Sequence, residues 1–180
     1  DGSPGFAFHG SVAEAHKATE RMVDRGIKAV CIEQKTKRAD RAQWIEAMRA
    51  GEIDVINNVY TMTEGVDIPR ARVCMLAAAA PHCGGFLQRT ARVLRPHESK
   101  QWAILIDLTG ASILHGLPTE NRIYSLAGDP IKRTDVQPLR SCLACGAIVH
   151  AAYQVCPQCG AAFPSTPRNG PRIYDLALVE

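Results

Sequence analysis

The chain has 180 residues, 46% apolar and 22% charged. That balance excludes a disordered, collagenous or fibrous chain and leaves room for one mid-sized domain plus a small appendage. With 21 Lys and Arg against 18 Asp and Glu, the net charge of +3 is too mild to establish a polyanionic partner. The longest apolar run, Val73 to Ala80, falls far short of the roughly 18 residues that span a bilayer, and no basic-then-apolar signal segment opens the chain. A soluble, cytoplasmic protein with no membrane partner is expected. The opening Asp1-Gly-Ser-Pro4 has the look of a loop, so a chain cut from something longer is expected as well.

In chain order, Gly5-Phe-Ala-Phe-His9 reads as a strand. Ser11-Val-Ala-Glu14 is a capping-box signature, followed by Val12, Ala15, Met22 and Val23 at helical spacing, with Gly26 as the stop. Ala29-Val-Cys-Ile32 is a second buried strand. A charged helix from about Arg38 to Ala50 buries Trp44, Ile45 and Met48 and ends at Gly51. Asp54-Val-Ile-Asn57 and Arg72-Val-Cys-Met-Leu76 are further strands, a helix runs from about Phe86 to Leu94 before Pro96, and Trp102-Ala-Ile-Leu-Ile106 is another strand. Trp44 and Trp102 sit in periodic apolar patterns and read as core. This alternation predicts an α/β fold, a mostly parallel sheet covered on both faces, with functional loops at the carboxyl ends of the strands. Over residues 109–139 the periodicity fades. The predicted division is a lobe over residues 1–128, a linker over 129–139 and a Cys-rich unit over 140–180 that ends in a strand from Ile173 to Val179.

The strongest metal signal is Cys142-Leu-Ala-Cys145 followed, after residues 146–155, by Cys156-Pro-Gln-Cys159. Each C-x-x-C turn presents two sulfurs to one point, so four thiolates can surround one zinc in a closed, structural site, and zinc is preferred to two disulfides. His150 reads as a hairpin residue beside that site. A second constellation is Gln88-Arg-Thr-Ala-Arg92-Val-Leu-Arg95. At i, i+4 and i+7, Gln88, Arg92 and Arg95 share a helix face, with Leu87, Ala91 and Leu94 on a neighbouring apolar stripe. Forked donors on one face suit phosphate recognition or transition-state charge, and equally a solvated basic face. The loop Thr63-Glu-Gly-Val-Asp67-Ile-Pro69 precedes it, with Asp67 placed at the carboxyl end of a strand. Ser11 suits both an N-cap and a phosphate contact at a helix N-terminus. Thr36, Lys37 and Arg38 suit both a solvated loop and a grip on a phosphodiester backbone.

In this order the motifs resemble the C-terminal RecA-like lobe of superfamily-two, DEAD/DEAH-like helicases of phage, prophage and bacterial type that carry a four-Cys tail. The resemblance implies a RecA-like sheet followed by a zinc ribbon. It also implies that Arg92 and Arg95 meet the ATP triphosphate while Gln88 helps position it, and that Glu64, Gly65 and Asp67 line the cleft between lobes. Gly10 and Ser11, in the strand-to-helix motif Phe6 to Ser11, would touch the nucleic-acid backbone together with Thr36, Lys37 and Arg38. Two departures stand out: Ala91 replaces a usual Gly, and Asn58-Val59 replace Ala-Thr. The 180 residues hold neither a Gly-x-x-x-x-Gly-Lys-Ser/Thr loop nor an acidic Asp-Glu box. ATP and magnesium are therefore expected only with an N-terminal lobe of the same parent chain, and nucleic acid, DNA above RNA, is the expected partner. The expected function is the second motor lobe of an ATP-dependent DNA helicase or translocase. A non-catalytic zinc-containing binding module and the translocase part of a restriction enzyme are the alternatives.

Overall fold

The computed structural model describes residues 3–59, 66–124, 132–133 and 138–164. The chain divides into two compact units, Asp1–Asp135 and Val136–Glu180.

In the first unit, strands β1 (Gly5–His9), β2 (Ala29–Ile32), β3 (Val55–Asn58), β4 (Val73–Ala77) and β5 (Ile104–Asp107) form one sheet in the order β2-β3-β1-β4-β5. Every pairing is parallel. Helices α1 (Val12–Val23), α2 (Arg38–Ala50), α3 (Cys83–Leu94) and the short α4 (Ala111–His115) connect or follow the strands. Right-handed crossovers place α1 on one face and α2 and α3 on the other, because the chain steps in opposite directions along the sheet.

The side chains obey that division. Phe6, Phe8, Ile56, Cys74 and Leu76 alternate onto one face and form the core with Met48 of α2 and Phe86 and Val93 of α3. The intervening residues point to α1. There His9 and Asn57 are buried, the His9 Nε2–H donates to Asn57 Oδ1 at 2.8 Å, and Asn57 Nδ2 donates to Thr19 Oγ1 of α1 at 3.0 Å. Burial also sets the chemistry of Cys74, whose thiol is pushed up to about 12, chiefly by desolvation. It is an inert core residue.

Ser11 caps α1 by accepting the Glu14 N–H at 3.3 Å, one half of the expected box. At the far edge, the Asp107 carboxylate accepts from the N–H of Ser112 at 2.6 Å and from the N–H and hydroxyl of Thr109 at 3.0 and 2.9 Å. Burial works to raise its pKa, but these donors win and hold it below the usual carboxylate range.

Five expectations are corrected. β5 begins at Ile104, two residues later than expected, and Trp102 is 54% exposed rather than core. Trp102 lies just before a strand on the sheet edge, where no further strand of that sheet stands beyond it. Helix α3 starts at Cys83, before Phe86, and takes Gly84 and Gly85 into its first turn despite their poor helix propensity. Its buried stripe is Phe86, Arg89, Thr90 and Val93, while Ala91 and Leu94 are exposed. The segment after Thr109 is also more ordered than its composition suggests, holding α4 and a two-stranded ladder of β6 (Arg122–Ile123) and β7 (Lys132–Arg133). The expected strand from Ile173 to Val179 lies outside the described residues, as do most of residues 129–139.

In the second unit, β8 (Leu139–Ser141) and β9 (Ile148–His150) pair antiparallel and carry the Cys turns. His150, half-buried on β9, lies 6.4 Å ring to ring from Tyr153.

At Gly5 the neighbouring strand β4 packs too closely to admit a side chain. A Cβ there would lie 2.6 Å from the Val73 carbonyl oxygen and 2.7 Å from the Val73 Cβ, so β4 would have to move. We expect Gly5→Ala to lower stability by about 1–3 kcal/mol in a chemical denaturation series, with the four-Cys unit unaffected.

Candidate nucleotide and nucleic-acid edges and a four-Cys centre

Helices in a parallel α/β unit run back against the strands, so the carboxyl ends of α2 and α3 come together at the amino-terminal edge of the sheet. There three guanidiniums hold the two residues Val66 and Asp67. Arg49, at the end of α2, donates to the Asp67 carbonyl from Nε at 3.1 Å and Nη2 at 2.9 Å. Arg92 Nη1 donates to the Val66 carbonyl, and Arg95 pairs with the Asp67 carboxylate. Lys100 donates to the Ala71 and Val93 carbonyls at 2.8 and 3.0 Å, tying the end of α3 to the approach of β4. Its ammonium is lowered from the usual lysine range, first by burial and then by the nearby Arg72 charge.

Asp67 therefore lies at the amino-terminal edge, whereas a carboxyl-edge position is the sequence expectation. The long loop after β3 returns the chain across the sheet before β4, and residue spacing does not encode where along that return each side chain falls. Glu64 and Gly65 lie outside the described residues.

The expected face of Gln88, Arg92 and Arg95 is split. Gln88 and Arg95 are exposed, while Arg92 is 6% exposed and turned under residue Val66. The residue that spacing missed is Arg89. It is buried within the core stripe of α3, donates to the carbonyls of Ala78 and Ala79 at 3.2 Å each, and lies 5.7 Å from the Phe8 ring centroid. A charge in phase with Phe86 and Val93 was the available signal, since a buried guanidinium must find acceptors.

At the opposite, carboxyl-terminal edge stand Gly10 and Ser11 after β1 and Thr36, Lys37 and Arg38 after β2, with β3 between those two strands. Gly10, Ser11, Lys37 and Arg38 are exposed. Thr36 is half-buried, its hydroxyl accepting the Glu33 N–H at 2.9 Å, which shapes the turn into α2.

In the second unit the sulfurs of Cys142, Cys145, Cys156 and Cys159 lie within 4.8 Å of one another. Two of the edges measure 3.7 Å (Cys142 to Cys159) and 3.8 Å (Cys145 to Cys156). A tetrahedron with metal–sulfur bonds of about 2.3 Å has edges of about 3.8 Å, so the donor set fits a metal ion of that size. The two turns are built alike. Cys142 N–H donates to Ala147 and Cys156 N–H to Ala161, both at 2.8 Å, while Gly146 and Gly160 return to Cys142 and Cys156. Both glycines take φ near +74°, at 73° and 75°, where a side chain would be strained. The N–H groups of Cys145 and Ala144 donate to the Cys142 sulfur and favour its thiolate.

Residues 2–97 match the family model described as the helicase conserved C-terminal domain. The chain belongs to this family. Its parallel α/β unit has the RecA-like fold of solved helicase C-terminal lobes. The chain is 28% identical over 167 residues to a 51.5 kDa protein of a Lactococcus phage, covering 91% of this chain and 37% of that one. It is also 40% identical over 65 residues to the UvrABC system protein B of Anaplasma phagocytophilum, covering 36% of this chain and 10% of that one. The solved C-terminal domain of the DEAD-box protein Dbp5 superposes with a TM-score of 0.53 at 14% identity, covering 58% of this chain and 60% of that one. The chain thus spans little more than a third of the phage relative and a tenth of the bacterial one. Among the described residues, no helix is long and apolar enough to cross a membrane.

The two arginine environments separate in their energetics. Arg89→Met leaves the Ala78 and Ala79 carbonyls without their shared donor and should cost about 1–3 kcal/mol. Asp67→Asn should change stability by less than about 1 kcal/mol, because the Arg95–Asp67 pair is exposed and such pairs contribute little. Thermal melts of the two variants side by side check both.

Proposed function

We propose that this chain is the second motor lobe of an ATP-dependent DNA helicase or translocase, working with an N-terminal lobe that supplies the phosphate-binding loop and the magnesium carboxylate. The observation that carries the reading is the convergence of Arg92 and Arg95 on Val66 and Asp67 at one edge of the sheet. The Asp67 carboxylate takes an Arg95 N–H donor as a phosphate oxygen would, since the planar carboxylate and the tetrahedral phosphate are both oxyanions that guanidinium donors recognise. An incoming triphosphate would take its place.

In that cycle Arg92 and Arg95 act as arginine fingers. They stabilise charge that develops on the phosphoryl oxygens as the bond to the leaving group breaks, and Gln88 orients the same group. Glu64, Gly65 and Asp67 line the cleft beside them. Asp67, freed from Arg95 when the fingers close, becomes available to a ribose or to the other lobe. Gly10, Ser11, Thr36, Lys37 and Arg38 grip the strand backbone at the opposite edge, so closure at one edge shifts the grip at the other by one step. DNA is the proposed strand, and the mild net charge and few cationic groups suit a transient hold on its phosphates rather than base readout.

Zinc is the proposed ion of the four-Cys centre. Thiolate-only tetrahedral ligation favours it, and the described part of the second unit buries only Cys142, Val149 and Cys156 among its apolar side chains. So small a core does not hold two turns together without a metal. Four sulfur ligands leave no open position, which makes the ion structural.

In a two-lobe protein carrying this chain, Arg92→Ala or Arg95→Ala should lower kcat for ATP hydrolysis by roughly 10³ or more with a small change in nucleotide affinity, because finger contacts form chiefly in the transition state. Steady-state kinetics with unaltered kcat in both variants would overturn the motor reading. For the centre, protein purified without added zinc should carry about one zinc per chain. Cys142→Ser or Cys159→Ser should release it and loosen the second unit while the α/β lobe keeps its melting profile.

A further inference from the structure

The residue whose carboxylate pairs with Arg95 is held through its main chain by Arg49. Arg49 stands in the last turn of α2, and its fork sets Nε and Nη2 on the Asp67 carbonyl while Nη1 pairs with the Glu46 carboxylate one turn back. Contacts on two sides of a planar guanidinium fix its orientation. The loop answers in kind. Arg70 Nη1 donates to the Arg49 carbonyl at 3.0 Å, one of the helix-end carbonyls that find no partner within α2. Gly51 makes room for it, since its φ is +86° and a Cβ there would lie 2.8 Å from Arg70 Nη1. The loop of Asp67 to Arg70 and the end of α2 are thus fastened to each other twice. At the other end of the helix, Arg41 Nη2 donates to the Glu33 carbonyl at 3.2 Å, which ties the start of α2 to the chain just past β2, beside Lys37 and Arg38. Between the two ends Met48 is buried, with Trp44, Ile45 and Ala47 packed against the core. The 13 residues of α2, at about 1.5 Å each, span about 20 Å from one edge of the sheet to the other.

We propose that Arg49 and Arg70 are positioning residues that fasten the Asp67 loop to α2, making α2 the rod through which the turn of Lys37 and Arg38 and the finger pair act on each other. The two neighbouring residues of the loop are held by different helices. Arg92 keeps the Val66 carbonyl with α3, and Arg49 keeps the Asp67 carbonyl with α2. Arg95 holds only the Asp67 side chain, which is 61% exposed and can exchange its partner at little cost. When that carboxylate leaves Arg95, the main chain of Asp67 therefore stays with α2. The peptide link from Val66 to Asp67 then carries any displacement of the finger helix into α2, and a rigid helix delivers it to its far end. Arg49 and Arg70 act in this through the loop alone. The inference rests on the motor reading, and its test is chosen so that the two fail differently.

The experiment uses a two-lobe protein carrying this chain and reads a ratio, kcat for ATP hydrolysis at saturating single-stranded oligothymidylate over kcat without it. A variant that only unfolds part of the protein lowers both terms alike and leaves the ratio unmoved. Coupling between two sites is commonly worth about 5–150-fold, so Arg49→Ala should lower the ratio by about fivefold or more, with Arg70→Ala acting in the same direction. Arg49→Lys keeps the charge and loses the fork, and it should resemble Arg49→Ala. A ratio unchanged in both alanine variants, a ratio restored by Arg49→Lys, or a wild-type ratio of one would each overturn the rod. Those results leave the motor reading standing as long as Arg92→Ala still lowers kcat. A kcat that Arg92→Ala and Arg95→Ala leave unaltered removes the motor reading and the rod with it.

Discussion

The pose of α3 depends on one buried guanidinium. Arg89 sits inside the apolar stripe that docks the helix on the sheet, and its charge can be tolerated there only because the carbonyls of Ala78 and Ala79, just past the end of β4, accept from it. Removing the acceptors would leave a desolvated cation, and removing the cation would leave desolvated carbonyls. The helix can therefore settle in one rotation and one height along β4. Arg92 lies three residues further on the same helix and Arg95 is the extended residue that directly follows its end, so the Arg89 contact also bears on where those two side chains emerge.

Two separated edges follow from this arrangement. Parallel strands with returning helices put the ends of α2 and α3 at the amino side of the sheet and the strand-to-helix turns of Gly10, Ser11, Lys37 and Arg38 at the other. A lobe built so can be rigid within itself and still respond at both edges as a body. Nothing in the core has to rearrange when an exposed contact such as Arg95–Asp67 exchanges its partner, because that contact contributes little to holding the lobe together.

Much of this was legible from residue order. Alternating periods of two and 3.6 placed β1, β2 and α2 at their observed limits, and the paired Cys spacing alone identified the four-sulfur cluster. What escaped is set by tertiary contact. Trp102 carries the apolar pattern of a strand, yet its position on a sheet edge decides its exposure. The core stripe of α3 is offset by one residue from the pattern of Leu87, Ala91 and Leu94, because a buried Arg89 counts as polar in any periodicity count. The edge occupied by Asp67 depends on the path of a loop, and loop paths have no period to read.

On the α1 face, the hydrogen bonds from His9 through Asn57 to Thr19 have a meaning beyond the lobe's ground state. Apart from Asn58, whose buried amide donates to the Ala7 carbonyl at 2.9 Å, the rest of β1, β3 and β4 is lined by aliphatic and aromatic groups that could interdigitate nearly as well after a slip of one strand along its neighbour. A slip of one residue would turn Asn57 toward Phe86 and Val93 and leave an amide among hydrocarbons with no acceptor. The amide thus works as a proofreading device for strand alignment during folding. Misaligned sheets are penalised at the amides of β3, and a chain whose ladder is otherwise interchangeable reaches one arrangement.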